Sequence, residues 1–144
     1  MKLERIKYSD LNARQKENFN FQKVSAILAD YGYVTLRLSD DWQGADFIAL
    51  HTSGDVLRVQ LKSRLTFDKK YKDKGLYVAF GNSDAWYLYP HDELLAKILK
   101  TTTLIGSSRS WIEEGAYNFP SLSRELGSLM APYLISGDTK SIPE

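Results

Sequence analysis

Residues 44–64 read GADFIALHTSGDVLRVQLKSR. The stretch predicts two strands joined by a tight turn, with Asp46 at the head of the first and Gln60 and Lys62 near the end of the second. Residues two apart in a strand share a face. Arg58, Gln60 and Lys62 therefore point one way, and Leu57, Val59 and Leu61 point the other way, into a core. Thr52-Ser53-Gly54 suits a three-residue hairpin loop with Gly54 in the left-handed position. That loop sets Asp46 across from Gln60, on the face that carries Lys62; a one-residue slip would send the acid to the opposite face. The expected result is a carboxylate, an amide and an ammonium converging at one end of a hairpin. The same letters also fit a plainer description, in which Asp46 caps a turn and Gln60 and Lys62 are the wet face of an edge strand.

An Asp, a hairpin-sized gap and then (Glu/Gln)-x-Lys resembles the PD-(D/E)XK nuclease core, the restriction-endonuclease-like fold. In that resemblance Asp46 takes the place of the motif Asp, Gln60 of the motif Glu and Lys62 of the motif Lys. Ala45 stands where the usual Pro precedes the Asp, and Gln in place of Glu is a variation seen in some members. The likeness spans about residues 10 to 100. It implies an α/β protein with a central mixed β-sheet flanked by helices. It also implies a Mg²⁺ (or Mn²⁺) ion held by Asp46 and Gln60, with Lys62 beside the reacting phosphate.

Upstream, Ser9 or Asp10 can cap a helix that runs to Tyr31 and ends at Gly32. Phe21, Val24, Ile27, Leu28 and Tyr31 cluster on one face of it. One turn back from Phe21 lies Glu17, an acid in line with the buried stripe. An early helix often supplies a Glu to the metal site in the nuclease family, so the resemblance makes Glu17 a third candidate ligand. Otherwise Glu17 simply favours the positive end of the helix dipole. Asn20 shares the stripe, and Gln22 falls on the wet face. Residues 33–38 (YVTLRL) predict a strand and 39–44 a loop, with Asp40 and Asp41 read as a solvated turn outside the strand pair.

Downstream, Lys69, Lys70, Lys72 and Lys74 interleave with Phe67 and Tyr71. Basic residues among aromatics suit a phosphate backbone and its bases, although Asp68 and Asp73 also make this an ordinary solvated loop. With Arg58 and Arg64 from the hairpin, these lysines are the candidate DNA contacts. Leu76–Phe80 and Ala85–Tyr89 predict strands around the turn Gly81-Asn82-Ser83-Asp84. Pro90 stops the second, and His91-Asp92-Glu93 opens a helix to Lys100. This order is close to the αβββαβ nuclease core but lacks its helix between the third and fourth core strands. Residues 65–75 must then fill that crossover, or the sheet is extended differently. Residues 101–120 are loop-rich; Arg109 and its neighbouring serines suit a phosphate, or else Trp111 packs on the core. A last helix starts near Leu122 and ends at about Ala131, before Pro132. Residues 136–144 read as a frayed end. The organisation expected is one domain over 1–144, with 101–144 as a C-terminal extension of loop plus helix.

The chain has 144 residues, 26% charged and 43% hydrophobic, which suits one soluble domain. A net charge of +1 is not that of a nonspecific nucleic-acid binder, though a local patch can still hold phosphate. The absence of cysteine excludes disulfides, thiolate zinc sites and a Cys nucleophile. His51 and His91 are too few and too scattered for a histidine zinc cluster; His91 reads as a helix-start residue and only secondarily as a site residue. There is no signal-peptide pattern or long apolar run, so a cytoplasmic protein without a membrane partner is expected. There is also no Gly-rich phosphate loop and no Ser-His-Asp order, so neither a nucleotide cofactor nor small-molecule hydrolysis is indicated. Two classes stay in play. One is a metal-dependent endonuclease acting on DNA. The other is a catalytically inactive protein on the same fold that binds nucleic acid or a protein partner. Cutting both strands of a duplex favours a homodimer or tetramer.

Overall fold

The first helix starts where two side chains exchange hydrogen bonds with the backbone. Asn12 accepts from the Gln15 N–H, and Gln15 accepts from the Asn12 N–H, each at 2.9 Å. This capping box satisfies two of the orphan N–H groups at once. It places the start of α1 (Ala13–Asp30) later than the expected caps, Ser9 and Asp10, which lie in a short 3₁₀ turn, Tyr8–Asp10. Gly32, at φ 89°, ends the helix as the sequence implies. The computed structural model of the chain describes residues 1–82 and 85–137. Ser83 and Asp84 of the expected turn, and residues 138–144 of the expected frayed end, lie outside the described residues.

After α1 come β1 (Tyr33–Trp42), β2 (Ala45–His51), β3 (Val56–Lys62), β4 (Leu65–Asp68), β5 (Leu76–Asn82), β6 (Ala85–Pro90), α2 (His91–Thr101), β7 (Ala116–Phe119), α3 (Arg124–Met130) and β8 (Leu134–Ser136). Six strands form one mixed sheet in the order β1-β2-β3-β5-β6-β8. Only β3 and β5 run parallel; the other neighbours are antiparallel. The molecule is thus α/β with a mixed six-stranded central sheet and helices packed on it.

Strand alternation splits the core between the two faces of the sheet. Phe47, Ala49, Val59 and Ala79 pack with Val24 and Leu28 of α1. Val78, Phe80, Tyr87 and Tyr89 pack on the other face with Leu65, Phe67, the α2 residues Leu94, Leu95 and Ile98, and Met130 of α3. The hairpin tip is fastened to the end of α1. His51 Nδ1 accepts from the Ser53 N–H at 3.0 Å, which leaves the proton on Nε2 to be donated to the Tyr31 carbonyl, also at 3.0 Å.

Several expectations need correcting. The parallel crossover from β3 to β5 does pass through residues 65–75, but as β4 and a 3₁₀ turn, Lys69–Tyr71. Phe67 and Tyr71 are buried there. A ring in the core cannot stack on a base, so the interleaved aromatics of this stretch serve packing. Residues 101–120 hold more than loop: a π-helical turn, Ser110–Glu114, buries Trp111, and β7 pairs with β4 in a two-stranded ribbon. After α3 the chain adds a strand that the sequence did not indicate: β8 pairs with β6 at the sheet edge.

A single hydroxyl ties the start of the crossover to β6. Tyr89 donates to the Thr66 carbonyl at 2.7 Å and accepts from the Thr66 N–H at 3.2 Å. Tyr89→Phe leaves both buried backbone groups of Thr66 without this partner, and a lost partner costs about 1–3 kcal/mol per buried group. The expected destabilisation is about 2–4 kcal/mol, read as a lower midpoint in urea with an unchanged slope.

Candidate active site

The pairing of β2 with β3 runs from Leu50↔Val56 to Phe47↔Val59. His51 N–H donates to the Asp55 carbonyl at 2.8 Å and closes the three-residue turn, with Gly54 at φ 98°. One step beyond the last pair stand Asp46 and Gln60. There the ladder gives way to a side chain: the Leu61 N–H donates to Asp46 Oδ2 at 2.9 Å. On its other side β2 pairs with β1 from Tyr33↔His51 to Arg37↔Phe47, and the register then jumps to Trp42↔Ala45. Residues 38–41 of β1 therefore bulge past the single residue Asp46. The bulge and the end of the β3 ladder together leave Asp46 at an opening in the sheet.

Two clefts meet at Asp46. One, of about 370 Å³, is lined by Tyr8, Lys16, Glu17, Asn20, Asp46, Gln60, Lys62 and Ser63, among others. The second, of about 570 Å³, is lined by Arg14, Glu17, Arg37, Asp40, Asp41 and Asp46, among others. The first cleft brings Asp46, Gln60, Lys62 and Glu17 to one concavity. The helical period explains Glu17: one turn before Phe21, it stays in line with the stripe that packs on the sheet, but lies past the end of the hydrophobic contact.

Burial raises the Asp46 carboxyl above the ordinary carboxylate value. The Leu61 N–H and the Lys62 ammonium pull it down, while Asp41 and Glu17 push it further up. Asp41 is a neighbour that sequence reasoning set aside. β1 continues through Ser39, Asp40 and Asp41 to Trp42, where the expectation had a solvated loop. Gln43 and Gly44 then make the two-residue turn into β2, both at positive φ, 53° and 89°; of the two, only Gly44 marks such a turn in the sequence. Glu17 is exposed and lies 3.8 Å from Arg37, which also donates to Asn18.

Lys62 holds its ammonium over the ring of Tyr71, 5.8 Å from the centroid, and Lys70 lies over the same ring at 5.3 Å. Burial, with Asp68, Asp46 and Asp41 nearby, raises the Tyr71 hydroxyl to about 12. Tyr71 thus stays un-ionised near neutral pH and offers Lys62 a π face. His91 is buried away from both clefts. Its Nε2 accepts from the Asp68 N–H at 3.1 Å, and its ring meets Tyr71 edge-on, so it braces the crossover.

The expected DNA contacts scatter. Lys70 shares Tyr71 with Lys62 and also pairs with Asp68. Arg58 donates to Gln43 at 2.5 Å and stacks over Trp42. Lys69 lies over Trp111, and Arg109 pairs with Glu113 within one turn. Arg64, Lys72 and Lys74 are exposed or half-buried and line neither cleft. Tyr8, from the mixed N-terminal arm, is a lining residue that nothing in the sequence marked.

Among the described residues no three Asp, Glu, His or Cys side chains gather closely enough to hold a metal unaided. The donors on offer are the Asp46 carboxylate and the Gln60 amide oxygen, with Glu17 and Asp41 on the rims. They are hard oxygens around a half-buried carboxylate whose burial disfavours its charge. That set fits a hydrated Mg²⁺ or Mn²⁺, which needs only one or two carboxylates and keeps several waters. No family model matches the chain, and no curated protein matches it. No helix of the described residues is long and apolar enough to cross a membrane.

Proposed function

We propose that this protein is a metal-dependent nuclease with a restriction-endonuclease-like core, hydrolysing DNA phosphodiester bonds at Asp46, Gln60 and Lys62. The observation that carries the reading is the half-buried, reluctantly charged Asp46 facing Gln60 and Lys62 in one cleft. The Leu61 N–H needs only an oxygen, which a neutral side chain would supply, so the charge kept there against its burial supports a role beyond closing the ladder.

Asp46 and Gln60 would hold the cation, with Glu17 adding a second charge. When bound, Mg²⁺ neutralises charge on the scissile phosphate and lowers the pKa of its water. The chain supplies the rest. Asp46 is steered by its bond from Leu61 N–H, which occupies one oxygen and leaves the other facing the cleft. Lys62 carries three N–H donors on an ammonium held over the Tyr71 ring. It orients the attacking water or stabilises the negative charge that grows on the phosphate. If both strands of a duplex are cut, two such sites are needed and a dimer or tetramer follows; sedimentation as a monomer alone at working concentration counts against that mode and leaves cleavage of single strands in place.

The test is cleavage of varied DNAs with Mg²⁺ or Mn²⁺. Nicking that requires the metal and disappears in Asp46→Ala supports the reading. Tight DNA binding without cleavage, indifferent to metal, selects the inactive binding protein. Gln60→Glu probes the ligand set independently. It restores a charge to the site, so the Mg²⁺ concentration for half-maximal activity should fall about tenfold. An unchanged Mg²⁺ dependence would remove Gln60 from the ligand set.

A further inference from the structure

A third groove, of about 690 Å³, opens beside the catalytic cleft and shares Tyr8, Asn20 and Ser63 with it. Its walls are aromatic and apolar: Tyr8, Phe19, Ile27 and Trp86. Tyr8 and Phe19 lie against each other at 5.3 Å between ring centroids, tilted by 60°. Trp86 lies over Gly81, where an added Cβ would come within 2.5 Å of the indole. The glycine thus leaves room for the ring to lie flat across the neighbouring strand.

Two cations flank the aromatic pair. The Lys16 ammonium is 5.4 Å from the Tyr8 centroid, and that of Lys23 is 5.3 Å from the Phe19 centroid. Among the described residues neither has a carboxylate within salt-bridge distance. At the junction of the two clefts Asn20 donates to the Tyr8 hydroxyl at 2.9 Å, so the hydroxyl proton and the Asn20 carbonyl remain to be shared with a ligand.

We infer that this groove binds an unpaired nucleobase adjoining the phosphate in the catalytic cleft, which makes single-stranded or locally unpaired DNA the substrate class. The inference rests on the nuclease reading for what happens next door. Aromatic faces with flanking lysines are the chemistry of single-strand binding: rings stack bases regardless of sequence, and ammoniums follow the phosphates. An apolar ligand would leave Lys16 and Lys23 without use. A base held inside a continuous duplex cannot present its face to Tyr8 or Phe19, the two rings of the groove that are not buried in the core. The basic stretch at 69–74 cannot take this role, because Phe67 and Tyr71 are buried beneath it.

The experiment measures binding in EDTA, where no cleavage occurs. The probes are a fluorescein-labelled thymidine 12-mer and a mixed-sequence duplex of equal length, against the full chain carrying Asp46→Asn. The single strand should bind at least tenfold more tightly than the duplex. Tyr8→Ala, on the exposed turn, should weaken single-strand binding about tenfold and duplex binding little. Lys23→Glu, on the exposed helix face, should do the same and flatten the salt dependence. Equal affinity for both probes, or affinities unmoved by both variants, would overturn the inference. Occupancy of the groove by 8-anilinonaphthalene-sulfonate that the 12-mer fails to displace would do so too. The nuclease reading is scored separately with wild type and Mg²⁺: cleavage with no Tyr8 effect sinks only the base site, and single-strand binding that Tyr8→Ala weakens, with no cleavage under any metal, sinks only the nuclease.

Discussion

Asp46→Asn should abolish cleavage and raise the melting temperature at the same time. The loss of activity should be about 10³-fold or more, since on the nuclease reading the substitution removes the half-buried charge that would hold the cation. The gain in stability follows from the carboxyl's own titration. Burial raises the Asp46 pKa above its unfolded value, and the Leu61 N–H and Lys62 offset this only in part. Folding therefore favours the protonated form, and ionised Asp46 works against the folded state. Asparagine keeps an oxygen for the Leu61 N–H and carries no charge to desolvate. The stability difference between variant and wild type should be largest at neutral pH. It should shrink as pH falls through the raised folded pKa and vanish below the ordinary carboxylate value. Thermal melts in EDTA from pH 3 to 8 read this directly. Mg²⁺ should then raise the midpoint of wild type but not of Asp46→Asn, as a ligand that binds only the folded site must. An Asn variant that is less stable and fully active would make Asp46 a mere cap on the β3 ladder.

The hairpin that carries the site was legible because two independent signals agree on it. Alternation assigns the faces of residues 57–62, and the Thr52-Ser53-Gly54 loop fixes which residue opposes which; the pairs from Phe47↔Val59 to Leu50↔Val56 are those the loop dictates. Helical period put Glu17 in line with the buried stripe of α1, and the family resemblance singled it out there as a candidate ligand. What escaped depends on pairing between distant or irregular segments. β4 and β7 are four residues each, and Leu65 finds Phe119 across more than a third of the chain. No window of local sequence contains that contact, so LTFD looked like part of a basic loop. β8 follows Pro132 and meets β6 in a broken register at Trp86 and Tyr87. Asp41 escaped because the bulge at residues 38–41 breaks the alternation by which strands are recognised, and Ser-Asp-Asp has poor strand propensity. The residues that escaped include much of what shapes the site: Asp41 charges it, Tyr71 props its lysine and Tyr8 forms its outer wall.

Lys62→Met should reduce cleavage by about 10²–10⁴-fold while leaving metal binding and DNA binding in EDTA nearly intact. Methionine keeps a stem of similar length over Tyr71 and removes only the charge and its donors, so packing is held while chemistry is lost. The variant should also shift the site's acid limb. Lys62 is one of the two influences that pull the Asp46 carboxyl down, and without it the carboxyl rises further. The Asp46 side-chain carbonyl, followed by NMR, should therefore titrate at a higher pH in Lys62→Met than in wild type. Lys62→Arg separates the two roles open to the ammonium. Guanidinium stays charged but gives up no proton near neutral pH, and its planar fork replaces a compact point charge. Substantial activity in Lys62→Arg assigns Lys62 to charge stabilisation; activity as low as in Lys62→Met assigns it to orienting or deprotonating water. Cleavage at the wild-type rate in Lys62→Met would leave the cleft without its catalytic amine, and with it the case that the two strands were brought together for hydrolysis.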